Sequence, residues 1–271
     1  MKFSATVTLQ YPTVFSPFSV EDWLKGLDWM RDNGLDGAEL CISHYNGLDL
    51  GFVKAQLDER GLGCSTLSTG QARGLEGLSL IGVSREVSEK TRARLMQHVD
   101  AAAVLGSKVT IGLMRGIGSV QTMDADLDAL AEAMKPLVDY ADKKGVVLLL
   151  EAINRYETAL LNSAEADVEF IENRLGAPDC VGVLWDLFHA NIEDIGFERS
   201  VDRLGKRLQH IHLADSNRMF PGYGHMDIGR ILKYVKDTGY SEYASFECFN
   251  QPDLQTVLRE TGPWVASVRA L

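Results

Sequence analysis

Four polar residues end four successive apolar segments in the second half of the sequence. The segments read VVLLL, VGVLW, LQHI and YASF, and the residues that end them are Glu151, Asp186, His212 and Glu247. An ionised side chain at the end of a buried segment is costly unless it is paired or bound to a metal. Three carboxylates gathered in one place repel each other, and a divalent cation removes that repulsion. The pattern therefore predicts a site for one divalent metal ion.

The set of three oxygen ligands and one nitrogen ligand indicates which ions suit the predicted site. Mn2+ comes first, with Mg2+, Co2+ and Zn2+ as alternatives. The four cysteines form no CxxC pair, and each lies in or beside an apolar run, so we expect buried free thiols at Cys41, Cys64, Cys180 and Cys248. No thiolate is then available to favour a softer metal.

The segments that carry these residues alternate with amphipathic stretches along the whole chain. Short apolar runs, typical of strands buried on both faces, lie at 3–8, 36–42, 62–67, 108–113, 146–151, 181–186, 208–213 and 243–248. Stretches with helical spacing lie at 19–33, 49–60, 85–105, 122–144, 163–175, 190–204, 227–238 and 253–269. Eight strands, each followed by a helix, predict the α/β class with a single (β/α)8 TIM barrel, as one catalytic domain over residues 1–271. The carboxyl ends of the strands form one end of such a barrel, where the four polar residues are expected to meet.

Several local signals support this organisation. Ser19 and Asp22 have the spacing of a capping box, which predicts Ser19 as the N-cap of the first helix. Asp227 is expected to cap the helix that follows the seventh strand. An open doubly wound sheet is the alternative fold, but the turn after the first strand lacks the GxGxxG motif that usually marks it. The segment 112–118 is rich in glycine without that spacing, and we interpret it as a loop.

Charge and composition argue against some classes of function. The 271 residues carry a formal net charge of −11, whereas a broad nucleic-acid interface needs a basic face. No apolar run reaches the roughly 18 residues of a membrane span, and the N-terminus lacks the pattern of a signal peptide. We therefore expect a cytoplasmic protein that acts on a small molecule and has neither nucleic acid nor membrane as a partner.

The second half of the sequence resembles the xylose-isomerase-like sugar isomerase and epimerase superfamily. Within it, the sequence is most similar to the ketose 3-epimerases of the D-tagatose and D-psicose type. The resemblance is strong over residues 145–250, and the matching blocks lie at 151–157, 185–193, 210–218, 221–227 and 245–247. The four residues that end the apolar segments match the metal ligands of that family.

The resemblance also implies a reaction, namely epimerisation at C3 of a free ketose or a related polyol through an enediolate. Glu151 and Glu247 would form the acid/base pair that moves the proton, and the metal would stabilise the enediolate. Glu157, His189 and Arg218 match residues that contact the substrate. A homodimer or homotetramer is expected on the same grounds.

Other functions stay open at this point. Within the superfamily, the alternative is an aldose–ketose, hydroxypyruvate-type or inosose-type isomerase or dehydratase, although Glu157 and Arg218 together with Ser216 and Asn217 favour the epimerase. A DNA-repair AP endonuclease of family two shares the barrel but uses a multi-zinc cluster with several more histidines, and this acidic chain has six in total. A sugar-binding barrel without catalysis is the last alternative. The substrate depends on loops of the first half, which match the epimerases least.

Two further polar residues occur within the predicted strands. Glu39 lies near the end of the second apolar run and is an inward-facing candidate without an assigned role. His210 precedes His212 by two residues, so both side chains point to the same side of a regular strand. We expect His210 to support the site rather than to bind the metal.

Overall fold

Eight parallel strands close into a barrel in the computed structural model, which describes residues 1–271. Each strand pairs with the next along the chain, and the last pairs with the first. The strands are β1 (Lys2–Thr8), β2 (Gly37–Cys41), β3 (Gly63–Ser68), β4 (Lys108–Ile111), β5 (Leu148–Glu151), β6 (Val181–Asp186), β7 (Leu208–Leu213) and β8 (Tyr243–Phe246). Most strand residues are buried, because helices cover the outside and side chains fill the inside. The predicted (β/α)8 barrel is confirmed.

Ten α-helices connect the strands and cover the barrel. They are α1 (Trp23–Asp32), α2 (Leu50–Glu59), α3 (Gly70–Glu76), α4 (Arg85–Leu105), α5 (Met123–Lys144), α6 (Ala164–Asn173), α7 (Leu187–Glu193), α8 (Phe197–Leu204), α9 (Ile228–Asp237) and α10 (Leu254–Arg269). None of them combines the length and the hydropathy of a membrane-crossing segment. All four cysteines are free and buried, as expected.

The helix boundaries differ from the prediction at three places. The capping box was wrong, because Asp22 rather than Ser19 occupies the N-cap of α1. The helix expected over 190–204 is two helices, α7 and α8, separated where the Asp194 carboxylate accepts hydrogen bonds from Trp185 Nε1 and Ala164 N. Helix α3 was not predicted, because its glycines have low helix propensity. The cap at Asp227 is confirmed, since its Oδ1 accepts from Arg230 N at 3.0 Å.

The strand register brings the predicted site residues to one end of the barrel. His212 on β7 is paired with Asp186 on β6 and with Ser245 on β8. Glu151 is the last residue of β5, and Glu247 follows directly after β8. The carboxyl ends of four neighbouring strands therefore present four polar side chains to the same space.

Candidate metal centre

Four side chains meet at the carboxyl end of the barrel. One potential ligand atom from each of Glu151, Asp186, His212 and Glu247 lies within 4.8 Å of the others. His212 Nδ1 lies 3.5 Å from Glu151 Oε1, 3.5 Å from Asp186 Oδ2 and 3.2 Å from Glu247 Oε2. Three carboxylates and one imidazole thus surround a single point, as the sequence predicted for their positions.

The contacts of the two ring nitrogens of His212 show whether a cation fits between the four side chains. Its Nε2 lies 3.1 Å and 3.2 Å from the two carboxylate oxygens of Glu39, which assigns the ring proton to Nε2. Its Nδ1 is buried and has no hydrogen-bond partner. Nδ1 therefore faces three carboxylates, and positive charge at this point, carried by a ring proton or by a bound cation, offsets their repulsion. A divalent ion with oxygen and nitrogen ligands fits this arrangement.

The two carboxylate oxygens of Asp186 have different roles, because one caps a helix and the other faces the cluster. Oδ1 caps α7 by accepting from Phe188 N at 2.8 Å and from His189 N at 3.3 Å. Oδ2 faces His212 and accepts from Arg218 Nη1 at 2.6 Å. Because the residue ends β6 and caps α7, the backbone fixes the direction in which Oδ2 points.

The charges of the centre shift the pKa values of its members. Burial alone would lower the pKa of His212, but Glu247 and Glu39 hold it well above its ordinary value. Burial raises the pKa of Glu247, although His212 and Arg218 oppose that shift. Burial would also raise the pKa of Asp186, but the charge of Arg218, together with the nearby histidines, holds it below its usual range. A cluster that stabilises positive charge at a buried imidazole has the electrostatics of a cation site.

Arg218 lies over the same carboxylates. Its Nη1 and Nη2 donate to Asp186 and Glu247, and its guanidinium packs about 5 Å from the ring centroids of Phe15 and Phe188. Arg218 has a φ of 64°, a left-handed conformation that is uncommon outside glycine. This conformation and the two aromatic rings hold the side chain at the centre.

Glu157 and His189 are joined through a third residue. Asn154 Nδ2 lies 2.7 Å from His189 Nδ1 and 3.1 Å from Glu157 Oε1. His189 is buried on α7, whereas Glu157 is exposed in the loop after β5. The sequence pattern does not identify Asn154, because only the folded loop brings it between the two.

A cavity of about 410 Å³ opens beside the four residues, a size that suits a small ligand. Its lining includes six of the predicted site residues, Glu151, Glu157, His189, His212, Arg218 and Glu247. Asp186 is absent from the lining and has 0% of its surface exposed. A cavity of about 550 Å³, lined by residues from 201–209 and 238–242, contains no metal-ligating cluster.

Two residues near the centre were not assigned by sequence reasoning. Glu39 contacts His212, as described, and its Oε2 also lies 3.2 Å from His210 Nε2. Gly112 leaves room for the centre, because a Cβ at that position would lie 2.6 Å from Glu151 Oε2. The apolar context of Glu39 was a signal, but its partners on β7 become visible only when the barrel closes.

The fold and the site together define a (β/α)8-barrel protein with a largely buried cluster of one imidazole and three carboxylates, an arrangement that could hold a divalent cation. A family model described as xylose isomerase-like TIM barrel matches residues 27–270. The chain therefore belongs to the xylose isomerase-like TIM-barrel family.

Several proteins to which this chain is similar are epimerases. An L-ribulose 3-epimerase of Mesorhizobium japonicum is 26% identical over 239 residues, which cover 86% of this chain and 78% of the relative. A 3-dehydro-D-guloside 4-epimerase of Escherichia coli is 25% identical over 252 residues, 85% of this chain and 88% of the relative. A solved D-psicose 3-epimerase from Clostridium cellulolyticum with D-tagatose has a TM-score of 0.82 at 19% identity, over 100% of this chain and 99% of that chain, and this likeness concerns the fold. The chain is an enzyme of the isomerase class.

Proposed function

We propose that this protein epimerises C3 of a free ketose, or of a related polyol, with the help of one divalent metal ion. The observation that carries the proposal is the unpaired Nδ1 of His212 among three carboxylates beside a cavity of about 410 Å³. Epimerisation next to a carbonyl needs a base, an acid and stabilisation of an oxyanion. A bound divalent ion supplies the last of these, because it stabilises negative charge that develops on the substrate oxygens.

Glu151 and Glu247 are the residues that we propose move the proton. Both line the cavity, whereas Asp186 is fully buried behind it. Glu151 is the last residue of β5 and Glu247 follows β8, and these two strands lie on either side of the β6–β7 pair. One glutamate removes the proton from C3, and the other returns a proton to the opposite face of the carbon.

The proposed substrate-binding residues are Glu157, His189 and Arg218. All three line the cavity, and Asn154 holds the first two in a fixed relation through its amide. A hydrogen-bonded pair of this kind suits neighbouring hydroxyl groups, and the positive charge of Arg218 favours an anion that develops close to it. Mn2+ as the ion, a homodimer or homotetramer, and a cytoplasmic location stay predictions.

A second candidate is epimerisation at C4 of a 3-keto sugar. It is favoured by the Escherichia coli 4-epimerase, since the alignment covers 88% of that relative. The two reactions share the same chemistry, because each inverts a carbon next to a ketone. They differ in which carbon exchanges its hydrogen with solvent.

Hydrogen exchange in D2O tests both candidates. The protein is dialysed against a chelator, supplied again with Mn2+, and incubated with a panel of ketoses and 3-keto glycosides. Deuterium at C3 of a ketose with formation of its 3-epimer supports the first candidate, and deuterium at C4 of a 3-keto sugar supports the second. Exchange at C1 or C2 indicates an aldose–ketose isomerase instead.

Glu151→Gln is the variant that tests the proposed proton transfer in this experiment. It is expected to lower kcat by about 10²–10⁴-fold, the usual contribution of a positioned acid or base. Glu165→Gln is the control, because that glutamate lies on α6 and pairs with Arg203 on the outside of the barrel. The proposal that Glu151 transfers the proton is wrong if Glu151→Gln exchanges deuterium at the wild-type rate.

A further inference from the structure

Glu39 faces His212 from the side opposite the three carboxylates of the centre. Its two oxygens lie 3.1 Å and 3.2 Å from His212 Nε2, and Oε2 lies 3.2 Å from His210 Nε2. Ser68 Oγ also donates to Glu39 Oε1. Three donors therefore converge on a carboxylate that is 0% exposed and does not line the cavity.

The stability of the fold alone does not explain why a carboxylate occupies position 39. Its ion-pair partners are the two histidines, with no lysine or arginine among them. Burying an ionised group is costly, and a whole cluster of buried ionic and polar groups can often be replaced by apolar side chains of similar volume without loss of stability. The position is also specially built, because the ladder between β2 and β3 shifts register between Ala38 and Leu40, and such irregularities redirect side chains.

We propose that Glu39 is a positioning residue that holds His212 with Nδ1 facing the cation, and that it thereby sets the affinity of the site for a divalent ion. By accepting the Nε2 proton, Glu39 fixes both the protonated nitrogen and the plane of the ring. Without this acceptor the ring can carry its proton on Nδ1, where the proton occupies the lone pair that the ion needs. The inference rests on the cation site of the proposed function and is independent of which sugar is turned over.

Titration of the metal-free protein with Mn2+ tests this role. Glu39→Gln keeps the size of the side chain but replaces one acceptor oxygen with an amide donor, which opposes the donors of His210, His212 and Ser68. We expect the Kd for Mn2+, measured by calorimetry, to rise about 10–100-fold. Activity should recover when Mn2+ saturates the variant. An unchanged Kd overturns the inference.

Asp167→Asn is the matched control. Asp167 on α6 is another fully buried acidic side chain, and it lies outside both clusters of potential metal ligands. The same carboxylate-to-amide change there is expected to leave the Kd for Mn2+ within about twofold of the wild-type value. A rise as large as that of Glu39→Gln overturns the inference, because the loss of affinity would then follow from any buried carboxylate change.

A second measurement needs no variant and stays decisive if Glu39→Gln does not fold. In the Zn2+-loaded wild-type protein with 15N-labelled histidine, long-range 1H–15N spectra report which ring nitrogen carries the proton. For His212 we expect a proton on Nε2 and the metal on Nδ1. The opposite assignment overturns the inference, and so does a second ion held by Glu39, His210 and His212.

The two proposals fail in different ways. If the wild-type protein binds no divalent ion, the cation site and the proposed function are wrong together with this inference. If the wild-type protein binds one ion and Glu39→Gln binds it equally well, the inference alone is wrong.

Discussion

Single residues at the centre serve the fold and the site at once. Asp186 caps α7 with one oxygen and faces His212 with the other. His212 donates to Glu39 with one nitrogen and faces the carboxylates with the other. Because each group has a structural partner on one side, its free side is held in place before any ligand binds. This is the preorganisation that metal centres and polar active sites need.

Gly112 tests how tightly the position of Glu151 is set. A Cβ there would lie 2.6 Å from Glu151 Oε2 and 3.5 Å from Ile153 Cδ1, so Gly112→Ala has to displace the carboxylate. We expect kcat to fall about 10²-fold, because a misplacement of about 1 Å in an active site has that effect, and we expect Mn2+ to bind more weakly. Steady-state kinetics and Mn2+ titration measure the two effects.

Gly74→Ala provides the control for Gly112→Ala. Nothing lies within 4 Å of a Cβ at this helical position, and alanine favours a helix over glycine by about 1 kcal/mol. The control should keep wild-type kinetics and unfold at a slightly higher temperature. Wild-type kinetics in Gly112→Ala would contradict the close approach of Gly112 and Glu151.

At the scale of elements, the loop between β7 and α9 positions Arg218. The carboxylate of Asp215 accepts backbone hydrogen bonds from Ser216 at 2.7 Å, Gly222 at 2.8 Å and Met226 at 3.1 Å. These contacts fold the loop around one buried acid, and they hold the pKa of Asp215 below its usual value although burial opposes this. The left-handed Arg218 lies within this folded loop, and its N–H donates to the Asp215 carbonyl at 2.8 Å.

Asp215→Ala is expected to show whether Asp215 acts by positioning Arg218 or only by stabilising the fold. Loss of the acceptor releases the loop and Arg218, so kcat/KM should fall about 10²-fold, and buried N–H groups left without partners cost about 1–3 kcal/mol. Asp227→Ala is the control, because that residue caps α9 at the end of the same connection. The control should cost about 1 kcal/mol of stability and leave kcat/KM unchanged. Equal kinetic losses in both variants would show that the loop acts through stability alone.

The strands and helices show how much of the structure could be predicted from the sequence. Apolar runs predicted all eight strands, because a strand buried on both faces has to be apolar. Periodicity did not separate α7 from α8, since helical spacing continues across the break and the cause is the buried contact of Asp194 with Trp185. The positions of the four candidate ligands along the chain also predicted that they lie at strand ends. They did not give the partner of Glu39, which lies across the barrel on β7, because a contact between distant strands depends on closure and register.

At the scale of the whole molecule, the barrel concentrates negative charge at one end. Three carboxylates of a chain with a net charge of −11 meet around one imidazole, and Arg218 contacts two of them, Asp186 and Glu247. The folded state therefore contains a repulsion that the unfolded chain lacks, because unfolding separates the strands. A cation at the centre removes that repulsion and stabilises the folded state in particular.

Binding of the ion should therefore raise the free energy of unfolding and the melting temperature of the whole protein. A ligand that binds only the folded state adds about 2.7 kcal/mol at a free concentration of 100 times its Kd, which corresponds to roughly 5–10 °C in Tm for a chain of this size. We expect this gain when Mn2+ is added to the metal-free protein in a thermal melt. Asp186→Asn should lose most of the gain, because it removes one of the charges that face His212 Nδ1, whereas Glu165→Gln on the outer surface should keep all of it. An equal gain in Asp186→Asn would mean that the ion stabilises the protein from another place.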